Sequence, residues 1–399
     1  MRINSGFKKW NRPYLFQALE QVYSGLSTEK KSLVINLGIG DPDLPTPGPI
    51  REAIIREHRS RYHGYPTSQG RLDLREALVG YYLDRFAVRM HPDEFYIGPG
   101  AKTDLFDLNA VFAEPGDTVA IMDPAYPVYR DAAAYRGQRI HYLKGSMENA
   151  YQPNWENPPK DSGPLALIYL CYPNNPTGVG TSREYIRKLI DIALRLDSMI
   201  IMDIAYADFL PGNTTPTAFS IFDLPGGEDV GIEVGSFSKP FSMTGDRLSW
   251  VAIKNPEARK YWHRYRSNRD SGVSNYEQAG GLAALTDPEV KKIVRSHFEI
   301  YGRRAEIIRK GLKTLGFSMT GLDNTPYAWI KFPGLDSETA VRFLLQEVGI
   351  IFTPGSGFGP AGEGFIRATI FQPERRLEEA MERLAGLDFS LYEENSDPV

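Results

Sequence analysis

At 399 residues the chain is too long for one hydrophobic core, so two domains are expected. Its 46 Lys and Arg against 50 Asp and Glu leave a formal net charge of −4, which supplies no basic surplus for a nucleic-acid or anionic-membrane partner. A single cysteine excludes an internal disulfide framework, and no run reaches the ~20 apolar residues of a membrane helix.

In chain order, the first residues, MRINSGFKKWNRPYLFQALE, are basic but lack an apolar stretch followed by a cleavage site. A cytoplasmic location is therefore the default expectation. Short apolar segments follow: VINLGIG (Val34 to Gly40), EFYIGPG (Glu94 to Gly100), TVAIMDP (Thr118 to Pro124), LALIYLCYP (Leu165 to Pro173), SMIIMDIAY (Ser198 to Tyr206), IEVGSFS (Ile232 to Ser238) and RLSWVAI (Arg247 to Ile253). They are too uniformly apolar to be half exposed, and strands buried on both faces belong in a mostly parallel sheet covered by helices. Cys171, inside one such run, reads as a small buried hydrophobe. Between strands, REYIRKLIDIALRL (Arg183 to Leu196) spaces its apolar residues as a helix does. The alternation predicts an α/β fold. After about residue 285 the rhythm changes to long helical stretches, such as DPEVKKIVRSHFEIYGRRAEIIRKGL, followed by the strand-like YAWIKF and GFIRATI. This reads as a smaller α+β domain ending in a loose acidic tail, YEENSDPV.

Most strand ends carry Gly, Asp, Asn, Ser or Tyr, and ligands of open parallel sheets bind outside those ends. The decisive segment is SFSKPFSMTGDRLSW, Ser236 to Trp250. An amine that attacks an aldehyde must lose its proton, by desolvation or beside other cations. A phosphate ester needs an arginine fork, hydroxyls and backbone N–H groups. Ser236, Ser238 and Arg247 surround Lys239 with that set.

This segment resembles the Schiff-base lysine segment of fold-type I pyridoxal-phosphate aminotransferases, and further motifs occur in that family's order. YPNNPTG (Tyr172 to Gly178) is similar to its N-P-T-G turn, which implies that Asn175 bonds the cofactor's phenolic oxygen. DIAY implies that Asp203 pairs with the pyridine nitrogen and Tyr206 with the phenolic oxygen. GPGAKTDL (Gly98 to Leu105) resembles the phosphate-cupping turn, with Ala101 and Lys102 at the contact, and DPAYPVY (Asp123 to Tyr129) places Tyr126 against the ring. YPTSQG places Tyr65 at the phosphate of a neighbouring subunit, which implies a homodimer with shared sites. FIRATI places Arg367 at the substrate α-carboxylate.

The resemblance implies pyridoxal 5′-phosphate as cofactor, small amino and 2-oxo acids as partners, no metal, and ping-pong kinetics through the pyridoxamine form. It implies a large cofactor-binding domain (46–285) with a mostly parallel central sheet, and a small α+β domain (286–399) joined by an N-terminal segment (1–45). YLFQAL (Tyr14 to Leu19), INLGIGDPDLPTP (Ile35 to Pro47) and NRDSGVSNYEQAGG (Asn268 to Gly281) narrow it to the LL-diaminopimelate aminotransferases, where Tyr14, Gly40 and Asn275 would touch substrate. Three features depart from the pattern: Pro240 follows the lysine, Ser249 stands where glycine is commoner, and the start is more basic than the motif requires. The alternatives are a broader aspartate, alanine or aromatic aminotransferase, a C–S lyase, or a non-catalytic sensor of the same fold. Arg266, Arg269 and Lys102 are further candidates to meet a charged substrate.

Overall fold

Seven strands form the central sheet of the computed structural model. Their order is Phe95–Gly98, Ser249–Ile253, Gly231–Ser236, Met199–Asp203, Leu165–Cys171, Thr118–Asp123 and Arg139–Lys144. The structure describes residues 23–153 and 163–389, with Gly6 and Lys8. Tyr14 and the acidic tail lie outside these residues. Neighbouring strands are parallel, except that Ser249–Ile253 runs antiparallel to both of its neighbours. Six of the strands were legible as apolar runs because nearly every residue in them is buried. The seventh, Arg139–Lys144, is exposed at both ends and half-buried between except at the buried Leu143, so it carries no apolar run.

Helices Ala101–Phe112, Val128–Tyr135, Arg183–Leu196 and Pro256–Arg269 pack on this sheet. In Arg183–Leu196 the Ser182 side chain accepts a hydrogen bond from the Tyr185 N–H, and the helix stops at Asp197 in the left-handed region, φ 54°. The helix buries Ile186, Leu189, Ile190 and Ile192, each contributing about 1.5–3 kcal/mol against exposure. No helix among the described residues is long and apolar enough to cross a membrane.

A second core gathers around the 27-residue helix Pro288–Thr314, which starts where Asp287 caps the Glu289 N–H. It packs with a four-stranded antiparallel sheet in the order Thr353–Pro354, Phe365–Thr369, Tyr327–Lys331 and Met319–Gly321. Ile35 and Leu37 belong to this core. The expectation that Val34 to Gly40 forms a central strand is corrected here. Only Ile35–Asn36 is extended, and it pairs in parallel with Ile350–Ile351. The reason is local: the Asn36 Oδ1 accepts a hydrogen bond from the Gly38 N–H at 2.9 Å and turns the chain. The next residues then run past the ends of the central strands, where Gly40 and Asp41 line a cleft.

Candidate active site

The parallel strands deliver polar residues to one rim. Asp203 ends Met199–Asp203, and Ser236 ends Gly231–Ser236, with Ser238 and Lys239 following at once. Asn175 lies just beyond Leu165–Cys171, and Tyr126 just beyond Thr118–Asp123. From the second core Phe365–Thr369 brings Arg367. The result is a cleft of ≈ 330 Å³ that brings together Gly40, Ala101, Lys102, Tyr126, Asn175, Asp203, Tyr206, Ser236, Ser238, Lys239, Arg247 and Arg367.

Lys239 is half-buried, and its Nζ donates to the Gly40 carbonyl. Burial lowers its ammonium to about 8; Arg367 and Arg247 push the same way, and Asp41 opposes them. Asp203 is buried. Its Oδ2 accepts from the Tyr129 hydroxyl at 2.7 Å and its Oδ1 from the Ala205 N–H at 3.0 Å. Burial raises this carboxyl to about 6, and those two donors hold it from rising further.

Arg367 spans the opposite wall. Its Nη1 donates to Asn175 Oδ1 at 2.7 Å and its Nη2 to the Gly38 carbonyl at 2.9 Å. The guanidinium lies 4.1 Å from the Tyr327 ring centroid and 4.8 Å from that of Phe358. Tyr327 in turn meets the Tyr206 hydroxyl at 2.9 Å, and Asn175 Nδ2 donates to Tyr206 at 3.5 Å. A Cβ at Gly40 would strike the Tyr327 ring, so glycine is what lets this segment approach.

Pyridoxal phosphate makes three demands on such a cleft, and this donor set meets them. A buried carboxylate, Asp203, is available for the pyridine nitrogen. A desolvated amine, Lys239, is available for the aldehyde. An anion cradle is formed by the start of helix Ala101–Phe112 with Ser236, Ser238 and Arg247. Gly100, at φ 100°, precedes that helix, and a Cβ there would meet the Arg247 guanidinium. Arg247 itself sits at φ 52° with its Nη1 bonded to the Thr244 carbonyl at 2.8 Å.

Four predicted residues lie elsewhere. Tyr65 is 88% exposed, and together with Asn275 it lines a separate depression with Tyr62, His63 and Tyr276. Arg266 and Arg269 do not reach the cleft: Arg266 is buried between Asp104, Asp270 and the Ile97 carbonyl, and Arg269 pairs with Asp107 and Asp270. Sequence reasoning missed Tyr129, Tyr327, Asp41 and Thr244. Tyr129 had a signal, since it closes the same DPAYPVY segment as Tyr126. Tyr327 starts a strand and looked like an ordinary core aromatic.

The family model for aminotransferase class I and II matches residues 32–384. The LL-diaminopimelate aminotransferase of Aquifex aeolicus is 37% identical, over 94% of this chain and 96% of that protein. The LL-diaminopimelate aminotransferase of Syntrophobacter fumaroxidans is also 37% identical, over 94% and 97%. Among solved structures, the L,L-diaminopimelate aminotransferase of Chlamydomonas reinhardtii is similar at a TM-score of 0.85 and 32% identity, over 98% of this chain and 99% of that one.

Proposed function

Because the chain belongs to the class I and II aminotransferases, we propose that it transfers an amino group between LL-diaminopimelate and 2-oxoglutarate, in the synthesis of lysine and peptidoglycan precursors. It is a pyridoxal-phosphate-dependent enzyme. The observation that carries the reading is the enclosure of Lys239, Asp203 and Arg367 in one cleft. The substrate assignment rests on the full-length similarity to LL-diaminopimelate aminotransferases.

When bound, pyridoxal phosphate supplies an electron sink for the charge that develops on the substrate Cα. Asp203 stays ionised above about pH 6 and holds a proton on the ring nitrogen. Asn175 and Tyr206 donate toward the phenolic oxygen, and Tyr126 covers the ring. Ser236, Ser238, Arg247 and the N–H groups of Ala101 and Lys102 hold the phosphate. Arg367 grips the substrate α-carboxylate, with its plane set by Tyr327 and its tilt by Asn175 and Gly38. Lys239 Nζ, neutral above about pH 8, takes the proton from the substrate Cα and returns it as an acid. Two half-reactions through one site require ping-pong kinetics. The exposure of Tyr65 supports a homodimer in which this ring serves the neighbouring site. A cytoplasmic location accords with this role.

An amino-donor screen on the purified protein tests the reading, by following the absorbance of the bound cofactor. LL-diaminopimelate and glutamate should convert it rapidly, while aspartate, alanine and phenylalanine should not. Conversion by aspartate or phenylalanine without diaminopimelate would replace the substrate assignment. Release of ammonia and pyruvate would indicate a lyase.

A further inference from the structure

Ser249, the departure from the usual glycine, lies between two walls of the phosphate cradle. In the sheet it pairs with Gly98 on one side and with Ser236 on the other. Directly opposed residues share a face, so the Ser249 side chain points to the same side as that of the cleft-lining Ser236. It is fully buried. Its Oγ accepts a hydrogen bond from the Gly100 N–H at 2.9 Å and donates to Asp104 Oδ2 at 2.5 Å.

Asp104 stands in the first turn of helix Ala101–Phe112, the turn that faces the phosphate position. Its carboxyl lies against Gly98, where a Cβ would collide with it. The buried Arg266 comes within 3.9 Å of its Oδ1 and also bonds the Ile97 carbonyl at 3.2 Å. A buried carboxylate in this turn would compete with a phosphate for the positive end of the helix. Ser249 and Arg266 draw that charge back toward the sheet. The same hydroxyl fixes the Gly100 peptide, which sets the direction of the N–H groups that follow it.

We propose that Ser249 is a positioning residue for the cofactor phosphate, tying the phosphate-facing turn to the buried Asp104 and Arg266. This rests on the pyridoxal-phosphate reading. Ser249→Gly removes the hydroxyl while installing the residue commoner at this position, so the variant should fold; Ser249→Ala serves as the second variant. The apoproteins are titrated with pyridoxal 5′-phosphate and, separately, with pyridoxal, which lacks the phosphate. Both hydrogen bonds of the hydroxyl, from the Gly100 N–H and to Asp104, are lost, and the loosened turn should weaken binding of the phosphate ester about tenfold. Pyridoxal affinity should stay unchanged, since Lys239 and Asp203 are untouched. Equal weakening of both ligands, or weakening of neither, would overturn the proposal. Failure of the wild-type apoprotein to prefer pyridoxal phosphate over pyridoxal would instead overturn the cofactor assignment on which it rests.

Discussion

Replacing Tyr129 with phenylalanine isolates one hydrogen bond at the floor of the cleft. The ring keeps its place, stacked on Tyr169 at 5.0 Å and 18°, and only the hydroxyl 2.7 Å from Asp203 Oδ2 is lost. Asp203 retains the Ala205 N–H. A hydrogen bond to a charged group is worth roughly 1.5–3 kcal/mol, and one pH unit corresponds to about 1.4 kcal/mol. The hydroxyl donates to the ionised carboxylate, so its loss favours the protonated form. The Asp203 carboxyl, already raised to about 6 by burial, should therefore rise by about one to two pH units. The assay is the affinity of the apoprotein for pyridoxal phosphate as a function of pH. Wild-type affinity should fall as pH drops through about 6, and the variant's should begin to fall about one to two units higher. Superimposable profiles would refute the reasoning, because Tyr129 would then have no hold on Asp203 or Asp203 none on the cofactor.

Lys239→Ala should abolish turnover and the absorbance of lysine-linked cofactor; a variant with full activity would sink the assignment. Capture of cofactor by the wild-type apoprotein should accelerate with pH and level off above about 8, where the Lys239 amine is neutral; a stopped-flow rate indifferent to pH would contradict this. Arg367→Lys replaces the planar fork, whose Nη1 and Nη2 reach Asn175 and the Gly38 carbonyl, by a single nitrogen, and kcat/KM should fall roughly 10- to 100-fold for both amino acid and oxo acid. An effect on one half-reaction only would argue against a carboxylate grip common to both. Glu233, buried with its Oε1 accepting the Ile221 N–H at 2.6 Å, is raised from 4.5 to about 7 by burial. The folded state thus binds this proton more tightly than the unfolded one, and stability is lost as pH rises from 4.5 through about 7. Glu233→Gln should raise the melting temperature well above pH 7 and change it little near pH 5, as a pair of thermal melts at about those pH values will show.

The parts of the site that could be read in the sequence are those whose chemistry needs neighbouring residues at a strand end. Lys239 with its flanking serines, Asn175 in its turn and Asp203 with Tyr206 are compact strings, each weak alone and specific only together and in order. Tyr327, the Ser249–Asp104 bond and the partner of Tyr129, a residue marked only by its place in DPAYPVY, were not legible for the opposite reason. Each meets its partner across a large sequence separation, as Tyr129 meets Asp203 and Tyr206 meets Tyr327, and a lone tyrosine or serine in an apolar run looks like packing. The sheet was legible where both faces are covered. At Arg139–Lys144 an exposed edge removed the apolar run. At Val34 to Gly40 the apolar residues were real but serve the second core, and the Asn36 turn ended the strand.

That outer strand has a bearing on how the protein behaves at high concentration. Among the described residues, Arg139–Lys144 is paired on one side only, by Thr118–Asp123. A bare sheet edge is a template for joining another chain's edge, and charged side chains are a common guard against it. Arg139 and Lys144 are exposed at the two ends of this one, where like charges would oppose the approach of a second copy. The strand therefore trades the hydrophobic burial of its neighbours for colloidal stability, and substitution of both residues by valine should produce a protein that folds but clumps.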